Sequence, residues 1–400
     1  MWMWQHDHFF DHGCLMVGFL LLSISGWVFD ITSGEIADFP RFGVNYGKVA
    51  NNLPPPTDVV TILKSICISK SKLYDTDPLV LQTFRNTGIS FIVGTTNEDL
   101  RFLINPTLAM AWVQENIARY LPATYIIGIV VGNEIFSGSD TTLMKQVLPA
   151  MQNIYAALES MNLHQQVAVS TAHSFSTLKT SYPPSAGAFS DSIANAYMRP
   201  VLEFLSRTGS PFLINVYPYF AYKDNPSAVS LEYVLFQDNP GVLDENTQLR
   251  YYNMFDAQMD AVYSAISELG FDNITLLVSE TGWPSRGDAD EPGASVANAR
   301  LYHDNLVRHV TSMRGTPLRP NVSLDVYLFA LFNEDMKPGP TSERNYGLFQ
   351  PDGTPVYSFR SFRQQQFTSV SSSAVAFSMF HRFPLELGLL YLLIVYVAVY

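Results

Sequence analysis

The sequence predicts a closed (β/α)₈ barrel, also called a TIM barrel, as a single α/β domain. Within residues 41–360, eight short apolar runs alternate with longer segments whose apolar residues recur at helical spacing. Continuous apolar strands separated by helices indicate a parallel sheet that is covered on both faces. An open doubly wound sheet is the alternative, but no Gly-x-Gly-x-x-Gly motif follows any predicted strand to support it.

Each strand and helix of this barrel is assigned to a stretch of sequence. Two of the segments between strands, 141–160 and 293–313, carry Leu, Val, Met and Tyr on one side and charges on the other, which is typical of amphipathic helices. The turn-rich stretch 221–247 is expected to form an elaborated loop after the sixth strand. The predicted strands are 42–46, 71–75, 89–94, 126–132, 167–171, 211–217, 274–279 and 324–332.

The N-terminal segment is predicted to be a secretory signal peptide that occupies residues 1–34, with an approximate cleavage point. Its apolar run, Cys14–Phe29, has the length and position of a signal-peptide core and is followed by small residues. The preceding residues carry no Lys or Arg, which is unusual for such a leader. We expect the chain to be secreted and the barrel to begin near residue 41.

The C-terminal segment is predicted to direct attachment of a GPI lipid anchor. Residues 361–373 are interpreted as a linker to the attachment site, which the small residues of Ser369–Ala374 suggest, and 374–400 as a hydrophobic propeptide. The terminal run Leu387–Tyr400 carries no charge and is shorter than the ~20 residues that a membrane-spanning helix needs. A different C-terminal sorting peptide and a membrane helix are the alternatives.

Composition and motifs argue against several kinds of partner. The formal net charge is −12 and no run of Lys or Arg stands out, so nucleic acid would be repelled. The two cysteines, Cys14 and Cys67, exclude a disulfide framework, and no Cys/His cluster has the spacing of a zinc site. We expect a monomer without metal or cofactor. Two N-glycosylation sequons, at Asn273 and Asn321, agree with secretion.

Two glutamates that end apolar strands are the first candidates for chemistry, because such barrels carry catalytic groups at the carboxyl ends of their strands. The fourth run ends in Glu134 and the seventh in Glu280, on opposing sides of a barrel. Paired carboxylates that flank one bond are what glycoside hydrolysis requires, with retention at a separation of about 5–5.5 Å and inversion at about 6.5–9.5 Å. For either glutamate alone, a helix cap or a salt bridge is the alternative.

Motifs at six of the strands make this interpretation more specific. They are Phe42–Gly47 (FGVNYG), Leu73–Asp77 (LYDTD), Val131–Glu134 (VGNE), Asn215–Phe220 (NVYPYF), Ser279–Ser285 (SETGWPS), and Phe329–Asp335 (FALFNED), which Lys337 and Glu343–Phe349 (ERNYGLF) follow. In this order, over residues 41–360, they resemble the plant endo-1,3-β-glucanases of glycoside hydrolase family 17.

The resemblance implies roles for five residues near the reacting bond. Glu134 would be the general acid/base, Glu280 the nucleophile, and Asn133 a hydrogen-bond partner of the sugar 2-hydroxyl. Glu334 and Lys337 would position the substrate and balance charge, the lysine stabilising ionised carboxylates. A structural ion pair is the alternative for these two residues.

The resemblance also implies which side chains line the central sugar subsite. Tyr46, Asn215 and Tyr217 would bond sugar hydroxyls, and the ring of Phe349 would stack on a pyranose. Trp283, three residues after Glu280 in the same motif, is expected in the core beneath it.

The implied function is retaining endo-hydrolysis of 1,3-β-glucosidic linkages in a callose-like β-glucan at the cell surface or wall. A glucan-remodelling transglycosylase or a mixed-linkage glucanase would use the same residues. A wall-tethered glucan-binding protein with little catalysis is the alternative from another class. Loss of either carboxylate would favour that alternative, and both are present.

Overall fold

Eight parallel strands close into a barrel, and each pairs with the strands before and after it in the chain. The computed structural model describes residues 42–358. The ring closes through Val44, which is in register with Ser71 on one side and Leu328 on the other. The strands are β1 Phe42–Asn45, β2 Lys70–Lys72, β3 Ser90–Thr95, β4 Tyr125–Asn133, β5 Ala168–Ser174, β6 Phe212–Asn215, β7 Leu276–Thr281 and β8 Asp325–Leu328.

Helices occupy the connections between these strands. They are α1 Pro56–Ser65, α2 Pro78–Thr83, α3 Leu100–Leu103, α4 Pro106–Val113, α5 Thr141–Ser160, α6 Asp191–Ile193, α7 Arg199–Thr208, α8 Pro218–Asp224, α9 Leu231–Val234, α10 Met254–Glu268 and α11 Val296–Thr311. Shorter helical turns lie at Gln114–Ala118, Ile135–Ser137, Phe175–Thr177, Pro184–Ala186, Ala194–Met198 and Thr341–Arg344. Two antiparallel hairpins decorate the barrel, Leu178–Thr180 with Ala188–Phe189 and Val242–Leu243 with Arg250–Tyr251.

The predicted (β/α)₈ barrel is confirmed, and every predicted strand overlaps an observed one. The largest difference is at the eighth strand, predicted over 324–332, which ends at Leu328. The apolar residues that follow are buried by loop contacts instead: Ala330 donates its N–H to Tyr346, and Leu331 donates to Asn45. A buried loop and a buried strand carry the same apolar pattern, so the pattern could not separate them.

Alternation along the strands divides the core into two layers. In β4, Val130 lies in the cluster inside the barrel with Leu213 and Tyr327, whereas Ile129 and Val131 pack in the larger cluster that includes the helices. Successive side chains of a strand point to opposite faces, so one strand serves both layers. Burying such an aliphatic side chain stabilises the fold by about 1.5–3 kcal/mol.

Side-chain caps set the helix boundaries. Asp140 accepts hydrogen bonds from the backbone N–H groups of Thr142 and Leu143, so α5 begins at Thr141, as predicted. The helix predicted over 293–313 begins only at Val296, because Ser295 caps it by accepting from the N–H of Asn298.

Several predictions concern the ends and the surface of the chain. The predicted signal peptide (1–34), the linker (361–373) and the propeptide (374–400) lie outside the described residues. Between residues 42 and 358, no helix combines the length and apolar character needed to span a membrane. Asn273 and Asn321 are exposed in loops, and their glycosylation stays a prediction.

Candidate active site

A cleft of about 840 Å³ opens at the carboxyl ends of the strands, and both Glu134 and Glu280 line it. Asn133, Asn215 and Tyr217 line the same cleft. The structure therefore brings the two carboxylates to one shared space.

Both glutamates lie where the strand pairing is irregular. The register of β4 against β5 shifts between Val130 and Asn133, immediately before Glu134. The register of β7 shifts against β6 between Val278 and Glu280. A β-bulge bends a strand and changes the direction of its side chains, so these two irregularities turn the glutamates toward the cleft.

The backbone around Glu134 is held in an uncommon conformation. Glu134 has φ 54°, in the left-handed region, and its N–H donates to the carbonyl of Ala172 at 2.9 Å. Such a conformation costs a non-glycine residue of order 1–3 kcal/mol and persists where the surroundings fix it. Asn97 supplies part of that support, because its side chain accepts from Asn133 N–H at 2.8 Å and donates to the Asn133 carbonyl at 3.2 Å.

Gly132 belongs to the same turn and has φ 72°. A Cβ atom there would also overlap the side chain of Ile135. Glycine at the first position of the Gly-Asn-Glu motif is thus explained by the positive φ and by the lack of space for a side chain.

Glu134 and Glu280 have different hydrogen-bond environments. The Oε1 atom of Glu134 accepts one hydrogen bond, from Asn215 Nδ2 at 2.8 Å. Glu280 is only 7% exposed and accepts three: Oε1 from Lys72 Nζ at 2.8 Å and from the Tyr74 hydroxyl at 2.7 Å, and Oε2 from the Tyr217 hydroxyl at 3.0 Å.

These environments move the two pKa values in opposite directions. Burial and the neighbouring charge of Glu280 raise the pKa of Glu134, and the Asn215 amide only partly opposes the shift. Burial would also raise the pKa of Glu280, but the charge and hydrogen bond of Lys72, with the Tyr74 hydroxyl, outweigh it and hold the pKa below its ordinary value. Over an intermediate pH range, therefore, Glu134 is protonated while Glu280 is ionised.

Glu334 contacts the loop after β1. It is 3% exposed, its Oε1 accepts from the N–H of Val49 at 2.8 Å, and its Oε2 lies 3.8 Å from Lys337 Nζ. Gly47 packs so closely against the carboxylate that a Cβ atom would overlap it. Burial raises the pKa of Glu334 despite the nearby lysine. The ion pair with Lys337 is thus present, and Glu334 also fixes the loop that forms one edge of the cleft.

The structure assigns some predicted lining residues to different contacts. Asn215 and Tyr217 line the cleft, but their polar groups already bond Glu134 and Glu280, and Asn215 also accepts from the Ser279 hydroxyl at 2.6 Å. Asn133 Oδ1 is buried without a partner in the described part of the chain, so it is free to meet a ligand hydroxyl.

The predicted positions of three aromatic residues, Phe349, Trp283 and Tyr46, have different outcomes in the structure. Phe349 does not line the cleft: it is 4% exposed and packs in the core against Phe332, so the predicted stacking on a sugar is corrected to a core role. Trp283 is fully buried, which confirms the core prediction. Tyr46 does line the cleft. Burial, with the charges of Asp77 and Asp75, raises the pKa of its hydroxyl to about 12 and keeps it neutral.

Sequence reasoning assigned no role to Lys72, Tyr74 or Asn97. Lys72 and Tyr74 alternate with Leu73, which lies in the helix-side core at 0% exposure. That alternation is a signal that both polar side chains face the barrel interior. The predicted cation near the carboxylates was Lys337, yet the lysine in contact with Glu280 is Lys72. Within residues 42–358 no cluster of His, Cys, Asp or Glu is arranged to hold a metal ion.

Comparison with known proteins agrees with this geometry. Residues 42–361 match the sequence model of the glycosyl hydrolases family 17. The chain is 52% identical to glucan endo-1,3-beta-glucosidase 11 of Arabidopsis thaliana over 79% of its length and 74% of the relative's. It is 53% identical to glucan endo-1,3-beta-glucosidase 14 of the same plant, over 79% and 80%.

A solved structure matches as well. CJP38, a beta-1,3-glucanase and allergen of Cryptomeria japonica pollen, superposes with a TM-score of 0.76 at 43% identity. The superposition covers 80% of this chain and 98% of that one.

Proposed function

The chain belongs to the glycosyl hydrolases family 17, and on this premise we propose that it cleaves internal 1,3-β-glucosidic linkages of a β-glucan with retention of configuration. The observation that carries the proposal is the pair Glu134 and Glu280, which share one cleft and have pKa values shifted apart. An open cleft of about 840 Å³ suits a polymer that is cut along its length. The glucan endo-1,3-β-glucosidase names of the plant relatives support the same substrate class.

In the proposed first step, the protonated carboxyl of Glu134 gives its proton to the glycosidic oxygen. The ionised carboxylate of Glu280 attacks the anomeric carbon, the bond to the leaving sugar breaks, and a covalent glycosyl ester forms on Glu280. In the second step a water attacks the same carbon while Glu134, now ionised, accepts the water's proton. The Glu280 carboxylate leaves, and both groups return to their starting protonation states.

The donors around Glu280 support its role as the nucleophile. Lys72, Tyr74 and Tyr217 stabilise the ionised form, which is the form that attacks and the form that is released at the end of the cycle. The single donor on Glu134 leaves that group able to cycle between acid and base. Asn133 Oδ1, which has no partner within residues 42–358 and belongs to a residue that lines the cleft, is suited to accept from the sugar 2-hydroxyl.

The first test replaces each carboxylate by its amide. Glu280→Gln is expected to abolish turnover of laminarin, a soluble 1,3-β-glucan, because an amide cannot form the glycosyl ester. Glu134→Gln is expected to lower kcat by about 10²–10⁴-fold, since protonation of the leaving oxygen is lost. Reducing-sugar release and calorimetric binding of laminari-oligosaccharides are measured for both variants. Oligosaccharide binding should stay within a few-fold of wild type, which separates a chemical defect from a misfolded cleft.

Stereochemistry tests the mechanism independently. Proton NMR of the first products should show the β-anomer before mutarotation, as a double displacement requires. Initial release of the α-anomer, or a Glu280→Gln variant that keeps wild-type turnover, would contradict the assignment of Glu280.

Linkage preference is part of the proposal. Callose-like 1,3-β-glucan is the proposed substrate, and parallel assays on 1,3-linked and mixed 1,3-1,4-linked oligosaccharides test it. Faster cleavage of the mixed-linkage series would indicate a mixed-linkage glucanase. Product sizing at high donor concentration detects transglycosylation, because chains longer than the donor would accumulate.

We also propose that the enzyme acts at the cell surface or in the wall, secreted and attached to the membrane by a GPI anchor. The support is the apolar N-terminal run and the small-residue segment Ser369–Ala374 ahead of a terminal apolar run. A phosphatidylinositol-specific phospholipase should release the native protein from membranes. Retention on the membrane after complete lipase treatment would instead favour a membrane helix.

A further inference from the structure

The cleft extends from the catalytic pair along the loops that follow β5 and β6. This part, which we call the β5–β6 arm, is lined by Ser174, Phe175, Ser176, Phe220, Asp224 and Gln258. It is continuous with the catalytic centre, because the ring of Phe220 packs 5.4 Å from that of Tyr217, whose hydroxyl bonds Glu280. A ligand chain that leaves the catalytic pair in this direction would pass over the arm.

Gln258 stands out among the polar residues of the arm. It lies on α10, is 7% exposed, and its Oε1 atom is buried without a hydrogen-bond partner in residues 42–358. Its neighbour on the same helix, Asp256, is by contrast paired with Asn253 at 2.8 Å and with His309 at 2.8 Å. Leaving a buried polar atom unpaired costs about 1–3 kcal/mol, so a buried amide oxygen at a cleft wall with no partner in residues 42–358 calls for a ligand or a water.

The chemistry of the arm selects the kind of ligand. Phe175 and Phe220 offer apolar surface, and the lining described above contains no cation. A carboxamide oxygen accepts a hydrogen bond from a neutral hydroxyl and offers no donor to an anion, and the Asp224 carboxylate, which lies 3.1 Å from Lys223 Nζ, adds no net positive charge. Hydroxyl donors on an otherwise apolar ring are what a glucosyl residue presents.

We propose that Gln258 is a specificity-determining residue, whose amide accepts a hydrogen bond from a hydroxyl of a glucosyl residue bound in the β5–β6 arm, remote from the cleaved bond. The proposal rests on the proposed β-glucan substrate and deepens it by naming a contact that only longer chains reach. Binding in the arm adds affinity for chains long enough to occupy it, and leaves shorter chains unaffected.

The test compares Gln258→Leu with wild type on laminari-oligosaccharides of increasing length. Leucine keeps the approximate volume and removes the acceptor, so kcat/KM should fall by about 5- to 30-fold for chains that reach the arm. Chains too short to reach it should keep their wild-type kcat/KM. The same change at Gln166, which is exposed and precedes β5 at the opposite end of the barrel, is the matched control and should alter neither series.

Further measurements separate the possible outcomes. The melting temperature of Gln258→Leu should equal or exceed that of wild type, because a buried amide oxygen that has no partner in residues 42–358 is removed. An equal loss for all chain lengths, or no loss for any, would overturn the subsite. Calorimetric binding in a Glu280→Gln background repeats the length series without turnover. If the binding loss depends on chain length but the protein with an intact Glu280 hydrolyses no glucan, the proposed function is refuted and the subsite stands. If no glucan binds at all, both are refuted.

Discussion

At the scale of single residues, the proposed roles of the two carboxylates rest on how many hydrogen-bond donors each one has among residues 42–358. Glu280 receives three hydrogen bonds, one from a buried ammonium group, whereas Glu134 receives one from a neutral amide. Both groups are desolvated, so burial alone would raise both pKa values. Lys72 and Tyr74 make the difference, and they come from β2 and the residues just after it, a part of the barrel that carries neither glutamate.

Replacing Lys72 by Met should move the pH profile of kcat/KM toward higher pH. The proposed mechanism needs Glu280 ionised, and its lowered pKa keeps it ionised into the acidic range. Without the ammonium group the upward effect of burial dominates, so activity is lost at a higher pH as the solution is acidified. Lys72 also lowers the pKa of Glu134, so the alkaline limb should move in the same direction. Initial rates on laminarin across the acidic and neutral range measure both limbs.

The Lys72→Met variant needs a folding control, because it leaves a buried carboxylate without its cation. Breaking a buried pair in this way costs about 3–5 kcal/mol of stability. The double variant Lys72→Met with Glu280→Gln removes both charges and should recover most of that loss in denaturant unfolding. Lys70→Met, on the same strand but paired with Asp325 near the surface, should leave the pH profile unchanged. An unshifted acidic limb in a folded Lys72→Met variant would show that Lys72 does not set the ionisation of Glu280.

At the scale of elements, Asn97 couples the end of β3 to the end of β4. Its side chain holds the backbone of Asn133 through two hydrogen bonds, one residue before the left-handed turn at Glu134. The barrel thus fixes the position of Glu134, the candidate acid, through the main chain as well as through the hydrogen bond to its carboxylate.

Asn97→Ala should therefore lower kcat by about 10- to 100-fold, since small displacements of a catalytic group are that costly. KM should change little, because Asn97 is absent from the residues that line the cleft. Asn105→Ala is the control: Asn105 caps α4, so its loss should cost about 1 kcal/mol of stability without changing kcat. Equal kcat values for wild type and Asn97→Ala would show that the turn at Glu134 holds its geometry without this clamp.

The elements also show which features could be predicted from the sequence and which could not. Most of the eight strands were predictable because they are short apolar runs, and α5 because its apolar residues recur at helical spacing. The hairpin Val242–Leu243 with Arg250–Tyr251 has two-residue strands, too short for any periodicity to be visible. Glu134 and Glu280 were found because they end strands, whereas the role of Lys72 depends on a contact with a residue more than two hundred positions away. Phe349 was misassigned because a motif names a residue without saying which way its side chain points.

At the scale of the whole molecule, we expect charge to discriminate among substrates that share the same linkage. The chain carries a formal net charge of −12, and the described cleft is lined by six acidic and two basic side chains. Such a field does not act on a neutral glucan, but it repels a polyanion and slows its approach. Salt weakens the repulsion, because the Debye length falls from about 30 Å at 0.01 M to about 10 Å at 0.1 M ionic strength.

A carboxymethylated 1,3-β-glucan should consequently be a poor substrate at low salt and a better one as salt is added. We expect kcat/KM for this polymer to rise several-fold between about 0.01 M and about 0.1 M NaCl, the range over which screening sets in. For neutral laminarin of similar length, kcat/KM should stay nearly constant, since no net charge is brought into the cleft. Comparing the two polymers at each salt concentration cancels effects of salt on the enzyme itself. If both respond to salt equally, the acidic field has no part in substrate selection, and shape and hydrogen bonding within the cleft must account for it.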